Sequence, residues 1–194
     1  METYDVLVAC EFSGIVRDAF RAEGFAAISN DLLPTEAEGP HIQGDCVDVI
    51  KSQQWKLIVM HPPCTALAMS GNSTYGTGKP KHHERLASIE WTMGLFKLAQ
   101  EHAPYVCMEN PVGVLPRMAD QYVQPWQFGH GERKKVGLWL VGLPWLEPTD
   151  VVEGREQRVQ MMSPSPDRGK KRSIFFPGIA QAMARQWGPI IRRA

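Results

Sequence analysis

Residues 56–64 read Lys56-Leu57-Ile58-Val59-Met60-His61-Pro62-Pro63-Cys64. Leu57 to Met60 is a continuous apolar run, the pattern of a short strand buried on both faces of a parallel sheet. Pro62 and Pro63 end it, because proline has no N–H for a sheet ladder and holds the residue before it extended. Cys64 therefore stands at the carboxyl end of a core strand, on a stiff turn. In open α/β sheets that edge is where ligands bind. A cysteine alone is more often a packing residue; the Pro-Pro before it and the glycine-rich loop after it favour a functional one.

A second stretch has the same shape. Tyr105-Val106-Cys107-Met108-Glu109-Asn110-Pro111 is another short apolar strand, and it ends in an acid. Packing does not account for a carboxylate there, since charged side chains are rarely buried unpaired. A thiol and a carboxylic acid on two strand ends suit a site in which one group attacks while the other holds and protonates the target.

Outward from these strands the pattern is that of an alternating α/β chain. Val6 to Ala9 is the first strand, Glu11-Phe12-Ser13-Gly14 the turn, and Ile15 to Phe20 a helix, which is the opening of a dinucleotide-type fold. Phe25 to Ser29 is the second strand. It ends at Asn30-Asp31, near the offset at which such folds set an acid on a ribose hydroxyl; a turn role for Asp31 is the alternative. Asp45, after Gly44, is a second acid, with a helix N-cap as its alternative role. The stretch from Thr65 to Pro80 is dense in glycine, serine and threonine and reads as a mobile loop. Lys79, Lys81, His82, His83 and Arg85 follow as candidate phosphate contacts. The His82-His83 pair has no third ligand at usable spacing, so no metal is expected.

Arg85 to His102 is the clearest helix, with Leu86, Ile89, Met93, Phe96 and Leu98-Ala99 along one face. Val112 to Pro116 reads as a short helix or turn. Tyr122 to Trp126 reads as an edge strand because of its proline, and Gly129 to Lys135 as a basic turn leading into a strand from Gly137 to Gly142. Leu143 to Arg172 is polar, proline-rich and irregular. Phe176 to Trp187 is an amphipathic helix with Pro and Gly at its start.

The chain has 194 residues, which suits one α/β domain. Its 43% hydrophobic and 22% charged content is ordinary for a soluble protein. No apolar run approaches the ~20 residues of a membrane span. Met1 to Asp5 lacks a basic region followed by an apolar one, so no signal peptide is expected. Cys10, Cys46, Cys64 and Cys107 show no metal-type spacing and read as reduced thiols of a cytoplasmic protein. The net charge is zero, yet Arg155, Arg158, Arg168, Lys170, Lys171, Arg172, Arg185, Arg192 and Arg193 crowd the last quarter. Such a run is either a solvated face or a contact for DNA or nucleotide.

Pro62-Pro63-Cys64 and Glu109-Asn110-Pro111 resemble the Pro-Cys and Glu-Asn-Val motifs of the DNA (cytosine-5) methyltransferases. From about Val6 to Trp187 the chain is similar to a short phage or prophage-type member of that group. The first turn keeps Phe12 and Gly14 of the pattern Asp-Leu-Phe-x-Gly-x-Gly but has Val16 where a second glycine is usual. The resemblance implies a Rossmann-like class I S-adenosylmethionine-dependent methyltransferase fold, with a mostly parallel central sheet and helices on both faces. It implies that Phe12, Ser13, Gly14, Asp31, Asp45 and Pro62 bind S-adenosylmethionine. Cys64 and Glu109 would be catalytic, with a basic contact from Arg133 or Lys135, the nearest matches to a Gln-x-Arg-x-Arg element. Pro63, Asn110, Ser70 and Lys79 would meet the substrate, the last two from a loop that closes over a flipped base. Relatives insert a target-recognition domain where residues 143–172 lie, and here there is room for a loop or hairpin. The setting implied is a bacterial host's cytoplasm, as in phage DNA methylation or restriction-modification.

The chemistry implied is specific. Cytosine C5 is a poor nucleophile until a thiolate adds to C6 and makes C5 enamine-like. C5 then takes a methyl group from the sulfonium donor, and loss of the C5 proton with expulsion of the thiolate restores the ring. Basic neighbours and a cationic cofactor are expected to lower the thiol's pKa. Extruding the base from a duplex costs a few kcal/mol. Two alternatives share the residues: C5-methylation of free cytosine nucleotides, motivated by the missing recognition domain, and a non-catalytic methyltransferase-like DNA-binding protein, motivated by Val16. Nothing outside residues 143–172 is placed to read base edges, so a homodimer or partner protein could supply sequence specificity.

Overall fold

A computed structural model describes residues 3–159 and 161–193. Met1 and Glu2, on which the reading of the N-terminus partly rests, lie outside the described residues. The expected α/β architecture is present. In chain order the strands are β1 (Val6–Ala9), β2 (Ala27–Asp31), β3 (His41–Gln43), β4 (Leu57–Met60), β5 (Tyr105–Pro111), β6 (Gln121–Val123) and β7 (Val136–Val141). They form one sheet in the order β3-β2-β1-β4-β5-β7-β6. β1 to β5 pair in parallel, while β7 runs antiparallel to both β5 and β6. Strand order reverses between β1 and β4, which opens a crevice at their carboxyl ends.

The central strands are buried throughout because helices cover both faces. On one side Val6, Val8, Leu57, Val59 and Cys107 pack against Val16 and Phe20 of α1 (Ile15–Ala22) and Ile179, Met183 and Trp187 of α6 (Pro177–Ile191). On the other, Leu7, Ile58, Met60, Val106 and Met108 meet Val49 and Ile50 of α2 (Cys46–Lys51) and Leu95, Phe96 and Ala99 of α4 (His82–His102). Two-sided burial is why these strands read as unbroken apolar runs. Proline at the first turn of α6 lacks an N–H that would have gone unpaired there.

Several expectations need correction. β2 begins at Ala27, not Phe25, and carries Asp31 within the strand. β3 had no sequence signal: three residues, mostly exposed, beside β2. The stretch after Cys64 is not wholly irregular. A 3₁₀ turn at Met69–Gly71 leads into a short α3 (Asn72–Tyr75). α4 starts at His82, and its buried face runs through Arg85, Thr92, Leu95, Phe96 and Ala99; Leu86 is 55% exposed. Val112 to Pro116 is not helical. Among the described residues of 143–172 the one regular piece begins late, as the short α5 (Arg168–Ser173). α6 runs past Trp187 to Ile191, accommodating Pro189 near its end.

Candidate active site

β4 and β5 deliver the two groups the sequence singles out, and backbone-directed bonds fix the turns that follow. Asn110, almost fully buried, donates Nδ2 to the Pro62 carbonyl at 3.0 Å and so ties the end of β5 to the Pro-Pro turn after β4. Val114 N donates to Leu67 O at 3.0 Å, Met69 N donates to Val112 O at 3.2 Å, and Ala68 and Gly113 form an isolated antiparallel bridge. A Cβ on Gly113 would lie 2.3 Å from Leu67 O, so only glycine permits that approach. From α4, the buried Arg85 donates Nε to Ala66 O and Nη1 to Asn72 Oδ1, each at 2.7 Å, and Nη2 to Ala68 O at 3.4 Å. Arg85 was expected at phosphate; it is instead the clamp of the loop that carries Cys64, because its aliphatic stem points into the core from the covered face of α4.

The half-buried Cys64 is close enough to Glu109, Lys134 and Arg172 for their charges to act on its thiol. Burial pushes the thiol up and the Glu109 carboxylate pushes it the same way; Lys134, then Arg172, pull it back, and the result is a raised value. The expected lowering is therefore not supplied by the protein's own groups, since desolvation and a like-signed neighbour outweigh two cations. Neither cation was expected. Lys134 reaches back to donate Nζ to Arg172 O at 2.7 Å. Arg133 is exposed, and Lys135 lies over the Tyr122 ring at 5.4 Å. Side chains alternate along the segment running into β7, so of the three basic residues only the middle one faces Cys64.

Glu109 is held from the β4 side: His61 Nδ1 bonds Glu109 Oε2 at 3.0 Å, with both side chains 12% exposed. The His61 ring packs on Phe175, centroids 4.9 Å apart. Glu11, 5% exposed, accepts the Val16 and Arg17 amides at 2.7 and 3.2 Å and so caps the start of α1. Burial pushes its carboxyl up against the opposing pull of His61, the two amides and Arg17.

Beside this pair lies a cavity of about 520 Å³. Asp31 and Asp45 both line it, with Cys10, Asn30, Cys46, Pro63 and, from α4, Trp91 and Thr92. Each acid spends one oxygen on its own turn: Asp31 Oδ1 accepts from Leu33 N and Asp45 Oδ1 from Val47 N, both at 2.9 Å. The turn and N-cap roles are thus real, and each still leaves a second carboxylate oxygen. Asn30 Oδ1 and Thr92 Oγ1 are buried without a partner among the described residues. Cys10, at φ 60°, is the one described non-glycine residue in the left-handed region. Cys10 and Cys46 line the same cavity, and the interaction of the two thiols pushes Cys10 well up and Cys46 down.

The other expected cofactor residues fall outside this lining. Gly14, at φ 73°, starts α1, and a Cβ there would meet the Arg17 guanidinium. Ser13 Oγ donates to Glu11 at 3.4 Å. Phe12 is buried beneath Lys170, whose Nζ lies 5.1 Å from the ring centroid. Pro62 is buried and Pro63 forms the cavity wall, the reverse of their expected parts. Ser70 and Lys79 are exposed on the loop. Much of the basic last quarter is engaged within the protein. Arg155 stacks on Trp126, Arg158 pairs with Glu132 and Glu156, Lys170 with Glu36 and Arg185 with Glu23, while Arg192 covers Phe25. Among the described residues no cluster of acids, histidines and cysteines could hold a metal, and no helix is long and apolar enough to cross a membrane.

No family model and no curated protein matches the sequence. Solved structures of similar shape include two methyltransferases. Entamoeba histolytica methyltransferase EhMeth is 12% identical with a TM-score of 0.49, over 85% of this chain and 61% of that one. S. pombe Dnmt2 methyltransferase is 12% identical with a TM-score of 0.44, over 85% of this chain and 56% of that one. The chain thus spans roughly three-fifths of the length of either.

Proposed function

We propose that the protein transfers a methyl group from S-adenosylmethionine to C5 of cytosine in DNA, through a covalent bond between Cys64 and C6. The observation that carries the reading is the meeting of Cys64 and Glu109 on adjacent strand ends, next to a cavity walled by two acids. That cavity suits an adenosine. Its volume is within the 300–1,000 Å³ of small-molecule sites. The spare oxygens of Asp31 and Asp45 accept hydroxyl and amino hydrogens, Asn30 Oδ1 and Thr92 Oγ1 await polar partners, and Trp91 offers an aromatic wall. The bound cofactor supplies the electrophilic methyl; every other task falls to the chain.

Cys64 adds its sulfur to C6 and later leaves, a thiolate being both a strong nucleophile and a good leaving group. Glu109, entering this step as the acid, holds the N3 edge of the ring and passes its proton to N3 as C6 is attacked, so that the charge entering the ring is neutralised and Glu109 is left as the carboxylate. Lys134 and Arg172 oppose the effects that keep the thiol protonated.

The test is transfer of labelled methyl from S-adenosylmethionine to C5 of cytosine in duplex DNA. Cys64→Ser is expected to abolish transfer while leaving cofactor affinity unchanged by calorimetry. Label appearing only in cytosine nucleotides offered in parallel would overturn the choice of DNA. Transfer undiminished in Cys64→Ser would overturn the covalent step.

A further inference from the structure

Resting on that reading, we infer that His61 is a positioning residue for Glu109: it holds one carboxylate oxygen so that the other is presented to the pyrimidine. His61 is itself held on three sides. Its backbone N–H donates to Ala9 O at 3.0 Å, which pins it to the end of β1. Pro62 after it restricts the backbone to extended conformations. Its ring rests on Phe175. An imidazole fixed in this way offers one direction for Nδ1, and that direction ends on Glu109 Oε2.

The two ring nitrogens are unequal. Nδ1 meets a carboxylate, so it carries a hydrogen. Nε2 is buried with no hydrogen-bond partner among the described residues. A hydrogen on Nε2 would be a buried donor without an acceptor, at the full cost of its desolvation. Of the two neutral tautomers the arrangement therefore selects the one with hydrogen on Nδ1. Glu109 Oε2 is spent on that bond, and Oε1 has no partner among the described residues, which leaves it for the substrate. A carboxylate free to swing would have to find the N3 edge in every turnover. One anchored at Oε2 is already aimed, which is where orientation enters a rate.

The experiment has two arms. In the first, methyl transfer to cytosine in DNA is followed for wild type, His61→Ala and His61→Asn, the latter because an asparagine Nδ2 can replace the Nδ1 donor. In His61→Ala, kcat is expected to fall about a hundredfold, the penalty of a displaced catalytic group, with KM for DNA and cofactor affinity within about threefold. His61→Asn is expected to recover at least tenfold of that loss. An unchanged kcat in His61→Ala, or His61→Asn no better than His61→Ala, overturns the proposal. The second arm needs no activity and survives an unfolded alanine variant. In ¹⁵N-histidine-labelled protein, the neutral form of His61 is expected to show a protonated Nδ1 and a bare Nε2, and to lose that preference in Glu109→Ala. The opposite tautomer in wild type overturns the proposal by itself. A wild type that moves no methyl to cytosine overturns the parent reading, and the spectra still judge the His61–Glu109 pair.

Discussion

Arg85→Ala should loosen the nucleophile's loop without touching the nucleophile. The guanidinium makes bonds of 2.7 Å to Ala66 O and to Asn72 Oδ1, with a longer one of 3.4 Å to Ala68 O. Asn72 is exposed, so water replaces its lost donor. Ala66 is buried, so its carbonyl is left unpaired, at about 1–3 kcal/mol, and the lost packing of the Arg85 stem adds to that. A total near 3 kcal/mol follows, and at about 2–4 °C per kcal/mol for a domain of this size the melting temperature should fall by about 9 °C. Scanning calorimetry measures the fall. Peptide mass spectrometry after iodoacetamide treatment then reports Cys64, which should alkylate several-fold faster in the variant under native conditions. Arg85→Lys should recover only part of either effect, because an ammonium cannot fork between the separate acceptors. A loss under about 1 kcal/mol together with unchanged alkylation would refute the clamp.

Gly113→Ala brings a Cβ to 2.3 Å from Leu67 O and should cost about 2 kcal/mol or more, read as a lower urea midpoint; an unchanged midpoint would show that the two turns are not in register. Cys64 alkylation should climb with pH over a range above that of a free thiol, faster at any given pH in Glu109→Gln and slower in Lys134→Gln; reversed signs would remove these groups from its surroundings. Glu11 has a raised folded value, so its stabilising contribution is complete below the ordinary carboxylate range and is lost as pH rises through the folded value. Glu11→Gln should accordingly melt no lower than wild type at pH 7, and its relative advantage should vanish by about pH 4. If DNA is bound through Lys79, Lys134, Lys171 and Arg172 alone, log affinity should fall with log salt at a slope of about −3 to −4, whereas a slope near −8 would mean that the nine cations of the last quarter meet phosphates after all.

What the sequence disclosed and what it concealed divide along one physical line. β1, β4 and β5 were legible because two-sided burial leaves an unbroken apolar run. The turns after β4 and β5 were legible because a proline breaks a ladder and a carboxylate avoids an apolar core, so each marks a strand's end. β3 was not legible, since three half-exposed residues at a sheet edge need no distinctive composition. Leu86 misled because apolar spacing gives a helix face only to within a residue or so, and Arg85 beside it takes the buried position by reaching carbonyls instead of solvent. Arg133, Lys134 and Lys135 carry no mark of which one faces inward; alternation along the chain decides that, and it is set by pairing into β7. His61 was within reach, a titratable side chain directly before the Pro-Pro turn, but its partner lies 48 residues away and no spacing rule connects them.

The site separates position from reactivity. Cys64 is placed by bonds that avoid its sulfur: Leu67 N and Ala68 N donate to its carbonyl, Asn110 holds the preceding turn, and Arg85 with the Ala68–Gly113 bridge holds the following one. Its reactivity is set separately: burial raises the thiol most, Glu109 of β5 adds to that, and Lys134 and Arg172 from the last third of the chain lower it. Lys134, just before β7, and Arg172, well after it, are joined to each other by a single hydrogen bond, so two separate stretches of chain bring positive charge to the same thiol.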